Sequence, residues 1–270
     1  LELGDPARAE QALLLADRYA PDRSMEAFEA SHLLARAREE QGDMPGSAEH
    51  LRNAVRRAPD RFEGWTALAR AQALLGDPDE SMASLRRAIA LKPDALPEMA
   101  MLCGLLLMKR LPLELLEMAQ RILAIDPANA KGHIHAGQAL HMLKRYEEAL
   151  VHIQAAEVLG KEDPNYWRQL AVTLKSLRRF AEAAAAYEAA LKMTPELISA
   201  LVGTSQLSRL AGDRAAAATA ANRALSLKPL TLDDYSHLAS LMLDLGLHEE
   251  CIALSTQGLK QWPGNAEVSL

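Results

Sequence analysis

FEGWTALARAQALLGDPDESMASLRRAIALKPDA, residues 62–95, decides the reading of this chain. The stretch carries a Trp at 65, small residues at 69, 81 and 88, a Gly at 76 and a Pro at 93. The same marks recur at a fixed distance. Pro59, Pro93 and Pro127 are 34 residues apart, as are Pro195, Pro229 and Pro263. Pro127 and Pro195 are two periods apart, with Lys161 at the skipped place. Gly4, Gly42, Gly76, Gly212 and Gly246 each precede a proline by 17 residues, namely Pro21, Pro59, Pro93, Pro229 and Pro263. Two residue types in constant phase over most of the chain mark an internal repeat of 34 residues.

Counting each repeat from Phe28, Phe62, Leu96, Ala130, Pro164, Ile198 and Leu232 fills further places in register. The fourth place holds the bulky Trp65, Trp167 and Tyr235. The eighth is small: Ala35, Ala69, Cys103, Gly137, Ala171, Ser205 and Ala239. The seventeenth holds Tyr146 and Phe180. The twentieth holds Ser47, Ser81, Ala149, Ala183, Ala217 and Cys251, and the twenty-seventh Ala54, Ala88, Ala156, Ala190, Ala224 and Gly258. Small residues at these three places let two helix backbones approach, and bulky ones fill the spaces between. Gly closes the first helix of each pair where φ must be positive, and Pro stops the second. Asp5-Pro6, Asp77-Pro78 and Asp163-Pro164 read as N-caps with Pro in the first turn.

On these marks the chain resembles the tetratricopeptide repeat family over nearly its whole length. The resemblance implies an all-α fold, a right-handed superhelical solenoid of antiparallel helix pairs. The first helix of each pair is expected near 24–41, 61–75, 96–109, 129–143, 163–177, 197–211 and 231–245. The second is expected near 5–20, 44–57, 78–91, 112–125, 146–159, 180–193, 213–227 and 247–261. The domain reading is one solenoid over 1–270: a half repeat at 1–23, repeats near 24–61, 62–95, 96–129, 130–163, 164–197, 198–231 and 232–265, and the start of a further helix at 266–270. Pro21 to Pro59 is four residues longer than a period, so the first helix near 24–41 is expected to be a turn longer than its counterparts. The third repeat has Leu115 for the small twentieth residue, Arg110 for the glycine and Met99 for the bulky fourth residue, and irregular packing is expected there.

Composition excludes several classes. The formal net charge of −6 argues against a general nucleic-acid binder. The longest uncharged apolar run, Met99 to Met108, is too short to span a bilayer. Cys103 and Cys251 are too few for a disulfide framework and read as buried small hydrophobes. The phosphate-loop, dinucleotide, zinc-protease and hydrolase-elbow motifs are absent. His133, His135 and His141 do not share the i, i+4 spacing of a helical metal site. No cofactor, no metal and no catalytic residue is expected, and the chain reads as a non-enzyme. The cytoplasm is the slightly favoured compartment.

The resemblance places function on the first helices, which line a concave groove that receives an extended peptide or a helix of a partner protein. Groove-facing places are the second, fifth, ninth and twelfth. They carry six basic and four acidic residues here, so the groove is near +2 while the chain is −6. The candidate partner-binding residues are Arg36 and Arg70; Lys131, Gln138, Arg168, Lys175, Gln206 and Arg209; and the apolar Ala100, Met101, Gly104 and Leu107. The cations either solvate an exposed face or form a strip for an acidic segment. The apolar residues either form a pocket at Gly104 or belong to the core of a rotated third repeat. The Lys and Asn that other family members place at the fifth and ninth positions to grip chaperone tails are His32 with Arg36 and Thr66 with Arg70 here, so that clamp is not reproduced. The asparagine ladder of the O-linked N-acetylglucosamine transferase is absent too. The expected function is a protein-interaction scaffold for an acidic, partly hydrophobic partner motif. The alternative is the substrate-recruiting arm of a larger bacterial glycosyltransferase, sulfotransferase or exopolysaccharide-secretion protein. Self-association through exposed repeat ends is compatible with either.

Overall fold

The computed structural model describes residues 24–157, 161–229 and 232–261, with Gln11, Leu14, Leu15 and Tyr19 before them. Those four residues are helical; the rest of the helix expected near 5–20, and the one expected at 266–270, lie outside the described residues. Among the described residues there are helices and no strand. Contacts divide the chain into two units. In Leu1–Pro127, α1 spans Met25–Glu40, α2 Met44–Arg57, α3 Phe62–Leu74, α4 Pro78–Leu91, α5 Leu96–Met108 and α6 Pro112–Ile125. In Ala128–Leu270, α7 spans Ala130–Met142, α8 Tyr146–Ala155, α9 Pro164–Ser176, α10 Phe180–Met193, α11 Ile198–Leu210, α12 Arg214–Leu225, α13 Leu232–Leu245 and α14 His248–Gln261. Odd-numbered helices are the first members of the repeats, and each packs against the even-numbered helix that follows it.

Local chemistry sets the helix ends. Ser24, Asp43, Asn129 and Asp213 accept the backbone N–H three residues on, at 2.9–3.1 Å. Asp163 accepts from Asn165 N at 2.8 Å. Asp77, expected to cap in the same way, makes no side-chain cap bond; Pro78 alone opens α4. The first helix is a turn longer, 16 residues in α1 against 13 in α3, as the wide Pro21–Pro59 interval requires. Helix α8 spans Tyr146–Ala155, and Ala156 N donates to the carbonyls of both His152 and Ile153, which tightens the turn there; Glu157 is again helical, and the expected boundary near 159 lies outside the described residues.

Turns between paired helices do not depend on glycine. Gly42, Gly76, Gly212 and Gly246 have φ of 75–81°. In the third, fourth and fifth repeats Arg110, Lys144 and Arg178 take φ of 54–60° in the same place. The closing bonds are alike. Asp43 N donates to Arg38 O at 2.8 Å, and Leu111 N to Leu106 O at 2.9 Å. This six-to-one bond satisfies an orphan carbonyl of the helix end.

The helices of a pair cross at places eight and twenty. Ser81 donates its hydroxyl to Ala69 O at 2.7 Å, Ser205 to Ala217 O at 3.0 Å, and the Cys251 thiol lies 3.6 Å from Ala239 O. A side chain at one place thus bonds the backbone of the other, which only a close crossing permits. A Cβ on Gly137 would stand 2.6 Å from Ile153 Cγ1 and 3.2 Å from Ala149 O, so the fourth repeat accepts no side chain at its eighth place. The third repeat differs: Leu115 is fully buried at its twentieth place, and α5 and α6 approach less closely than the pairs of the two preceding repeats. Its helix lengths are regular all the same, so its irregularity is confined to this wider crossing. Successive repeats are joined by tryptophan: Trp65 Nε1 donates to Pro59 O at 2.9 Å, and Trp167 Nε1 to Lys161 O at 2.8 Å. The skipped proline therefore leaves this joint intact. Both cysteines are free and buried, and burial pushes the Cys103 thiol up to about 12, which leaves it unreactive.

Ala183, fully buried at the twentieth place of the fifth repeat, shares a core cluster with Ala171 at the eighth. Ala183→Leu is expected to destabilise the protein by about 1–3 kcal/mol through overpacking, read by urea denaturation. Ala184→Leu, one residue on and exposed, is expected to shift stability by about 0.5 kcal/mol or less.

Candidate functional site

In the first unit, α1, α2, α3 and α5 line an open cleft of about 670 Å³. It is lined from α1 by His32, Arg36 and Glu39, from α3 by Glu63, Thr66 and Arg70, and from α5 by Glu98, over a floor that includes Ala35 and Leu51. The expected groove residues Arg36 and Arg70 thus meet at one site. Their guanidinium groups are exposed at its rim. Arg36 lies 3.8 Å from Glu40 along its own helix, with both side chains about 70% exposed, a pairing of little energetic weight. Arg70 makes no ion pair among the described residues.

The inner wall carries polar groups without partners. Thr66 is 5% exposed, and its Oγ1 has no hydrogen bond. His32 stacks on Phe28 with ring centres 5.6 Å apart, and its buried Nδ1 is likewise unbonded. Glu98 is 8% exposed. It stands at the third place of its repeat, where the other repeats of this unit put the small residues Ala30 and Gly64, both buried. A carboxylate where its neighbours carry small residues is a signal the four groove places omit.

The apolar candidates Ala100, Met101, Gly104 and Leu107 lie on α5 outside the residues lining this cleft. Ala100, Met101 and Leu107 are partly buried and Gly104 is exposed. A Cβ on Gly104 would meet nothing within 4 Å. Gly104 thus faces open space, and the other three are neither fully buried nor fully exposed.

In the second unit the expected basic strip is partly built and partly neutralised. Lys175 of α9 donates to Gln206 Oε1 of α11 at 2.7 Å. Gln206 Nε2 donates to Asp244 Oδ2 of α13 at 3.3 Å. Arg209 of α11 donates to Asp244 O at 2.9 Å and lies 3.6 Å from its carboxylate. Four side chains on three successive first helices form one network, closed by an acid at the thirteenth place that the groove register does not include. Burial lowers the Lys175 ammonium, and Asp244 partly restores it. Lys131 is exposed and Arg168 half-exposed, and neither makes an ion pair among the described residues. Gln138 is half-buried and accepts from His135 Nδ1 at 3.1 Å.

Models of the tetratricopeptide repeat match residues 32–95 and residues 164–197. The chain contains tetratricopeptide repeats. Solved structures share its fold. A tetratricopeptide repeat protein from Parabacteroides merdae aligns over 90% of this chain and 96% of its own, with 14% identity and a TM-score of 0.75. PilW, described as a widely conserved type IV pilus biogenesis factor, covers 81% of this chain and 100% of its own at 17% identity and a TM-score of 0.64. YrrB, described as a tetratricopeptide protein with an unusual peptide-binding site, covers 69% and 96% at 18% identity and a TM-score of 0.52. No curated protein matches the chain. Among the described residues no helix is long and apolar enough to cross a membrane, and no group of three or more His, Cys, Asp or Glu could hold a metal.

The histidines of the fourth repeat make contacts within the fold. His133 Nδ1 and His152 Nδ1 are 3.1 Å apart, and His141 Nε2 is 3.0 Å from Ser176 Oγ. Burial is the first cause that lowers the imidazoles of His135, His141 and His152. Lys131 adds to the effect at His135, Lys175 at His141 and His133 at His152; Gln138 and Glu148 oppose it at His135 and His152. These imidazoles are neutral in the fold at a pH where the unfolded chain protonates them. The unfolded state then binds more protons, so stability rises with pH. Their contribution is fully present above about pH 6.5, the unfolded value. It is lost as pH falls through 6.5 toward the lowered folded values. Tm measured against pH is expected to drop across that window, and His135→Asn with His141→Asn and His152→Asn is expected to flatten the drop.

Proposed function

We propose that this chain is a protein-interaction scaffold whose first helices hold a segment of a partner protein, and that the segment is acidic and partly hydrophobic. The observation that carries the reading is the bonded row Lys175–Gln206–Asp244–Arg209 across α9, α11 and α13. Such a row holds its polar groups in fixed positions before a partner arrives, and preorganisation reduces the entropy lost on binding. Asp244 offsets one charge of the row, and Lys131 and Arg168 are the two cations of the expected strip in this unit that stand outside the row and have no ion pair among the described residues. These are the groups that an acidic side chain would meet. In the first unit, Ala100, Met101 and Leu107 beside the exposed Gly104 offer an apolar partner side chain an adaptable surface. The peptide-binding site of YrrB supports a peptide as the kind of ligand a fold of this type takes.

The test uses a fluorescein-labelled peptide of alternating Glu and Leu and reads fluorescence anisotropy at low and at physiological ionic strength. The full chain is expected to bind, and to bind more weakly as salt rises. Lys131→Glu with Arg168→Glu is expected to weaken binding by about tenfold or more. Tm should move by less than about 2 °C, since surface changes of this kind alter stability little. Equal affinity for the double variant, or affinity insensitive to salt, contradicts the reading.

A further inference from the structure

The first-helix face of the second unit carries one group whose charge depends on pH. Helices α7, α9 and α11 pack in succession, and their twelfth places hold His141, Lys175 and Arg209. Lys175 and Arg209 belong to the bonded row with Gln206 and Asp244. His141 is half-buried and is held by α9. Its Nε2 lies 3.0 Å from Ser176 Oγ, and Ser176 Oγ donates to Val172 O at 3.1 Å. A hydroxyl has a single hydrogen. With that hydrogen on Val172 O, Ser176 Oγ accepts, so His141 carries its proton on Nε2 and donates it. Nδ1 is left with a lone pair and has no hydrogen bond among the described residues. A second proton therefore enters at Nδ1 without breaking the bond to Ser176. The neighbouring histidine pair behaves differently. His133 Nδ1 and His152 Nδ1 face each other at 3.1 Å with one proton between them, so charging both rings removes their bond. Around His141, Tyr146 of α8 packs on the ring with centres 5.1 Å apart. Lys144 and Arg145 follow in the turn, and Arg145 is held by Glu148 at 2.6 Å. Burial and then Lys175 of α9 hold the imidazole below its ordinary value, and no carboxylate of the described residues offsets them. Near neutral pH His141 is uncharged.

We propose that His141 makes binding of the acidic segment pH-dependent: a proton on Nδ1 adds a third cation, and an N–H donor that the fold does not use, beside Lys175 and Arg209. The proposal rests on the scaffold reading, because it needs an acidic partner, and it concerns regulation of the same face. A neutral His141 meets a partner carboxylate with a lone pair, which repels it. A charged His141 meets it with a charge-assisted donor. Lys175 opposes that charge in the free chain, and a bound carboxylate relieves the opposition. The proton and the partner therefore favour each other reciprocally: binding raises the His141 value, and acid strengthens binding. Affinity is lowest at alkaline pH, where His141 is neutral both free and bound. It rises as pH falls through the value of the bound state and levels off below that of the free chain. Aspartates of the partner, with an ordinary value of about 3.9, keep their charge over this range. The fifth and sixth repeats carry permanent cations at the twelfth place, whereas the fourth carries one that is present only in acid.

The experiment titrates the full chain into a rhodamine-labelled peptide of alternating Asp and Leu, and into its neutral counterpart of alternating Asn and Leu. Anisotropy and helical circular dichroism are read at about pH 7.5 and about pH 5.5, on either side of the ordinary imidazole value. The Asp peptide is expected to bind about tenfold more tightly at the lower pH, and the Asn peptide to show no gain. His141→Gln, whose amide still donates to Ser176, is expected to bind the Asp peptide equally at both. His141→Lys is expected to bind at about pH 7.5 as tightly as the parent chain at about pH 5.5, which keeps the test decisive where acid weakens the fold. The NMR titration of the His141 ring, assigned by its loss in His141→Gln, is expected to move to higher pH when the Asp peptide is bound. Equal affinity of the parent chain at both pH values, a gain retained in full by His141→Gln, an equal gain for the Asn peptide, or His141→Lys no tighter than the parent chain at about pH 7.5, each overturns the proposal. Binding that Lys131→Glu with Arg168→Glu weakens, but that gains nothing in acid, overturns this proposal alone. Absence of binding by both the parent chain and His141→Lys at either pH overturns the scaffold reading with it.

Discussion

The close crossing of two helix backbones at the eighth and twentieth places of each repeat is the constraint on which the rest of the structure depends. A hydroxyl of one helix reaches a carbonyl of the other at 2.7 Å in the second repeat and 3.0 Å in the sixth. Such approach is possible only if both places are small, and so the chain carries Ala, Ser, Gly or Cys there in nearly every repeat. The crossing also fixes which way the remaining faces turn. With the second helix of a pair committed to one face of the first, the opposite face of the first is left for the neighbouring repeat and for solvent. The cleft at Thr66 and the network at Asp244 both lie on that remaining face.

The third repeat shows what happens when the constraint is relaxed. Leu115 replaces the small residue and is fully buried there, and the pair approaches less closely than those of the two preceding repeats. The helix ends do not change, because they are set locally by Pro112 and by the left-handed turn at Arg110. This is also the repeat whose first helix exposes Gly104 and Met108 and carries Glu98, 8% exposed, at a place where its neighbours are small.

Much of this was legible in the sequence, because the residues that set the repeat act through short-range sterics. A proline that ends a helix, a small residue that permits a crossing and a Trp that fills the next gap keep their meaning whatever the partner is. Trp65 and Trp167 sit as their place in the repeat implies. Legibility fell off where one residue type can be exchanged for another at modest cost. Arg110, Lys144 and Arg178 adopt the backbone conformation that glycine adopts elsewhere, at a cost of about 1–2 kcal/mol each, so the missing glycines did not mean missing turns. It fell off further at the candidate site. Lys175 and Arg209 were identifiable as groove residues, but their capture by Asp244 depends on contacts between helices more than 30 residues apart. Glu98 was overlooked because it occupies a place that family knowledge treats as packing. The inconsistency of a charged residue at a small place was the available signal.

The crossing itself is open to direct measurement by disulfide capture. In a background with Cys103→Ala and Cys251→Ala, Ala69→Cys paired with Ser81→Cys puts one thiol on each side of the crossing, where Ser81 Oγ now lies 2.7 Å from Ala69 O. A disulfide needs Cα atoms within roughly 4.4–6.8 Å. The control pairs Ala69→Cys with Ala83→Cys, which stands on the exposed side of α4. Under mild oxidation, with free thiol titrated against time, the crossing pair is expected to close quickly and completely while the helical circular dichroism is retained. The control is expected to stay reduced. Closure of the crossing pair no faster than the control would contradict the account, because the two backbones would then not meet at the places on which it depends.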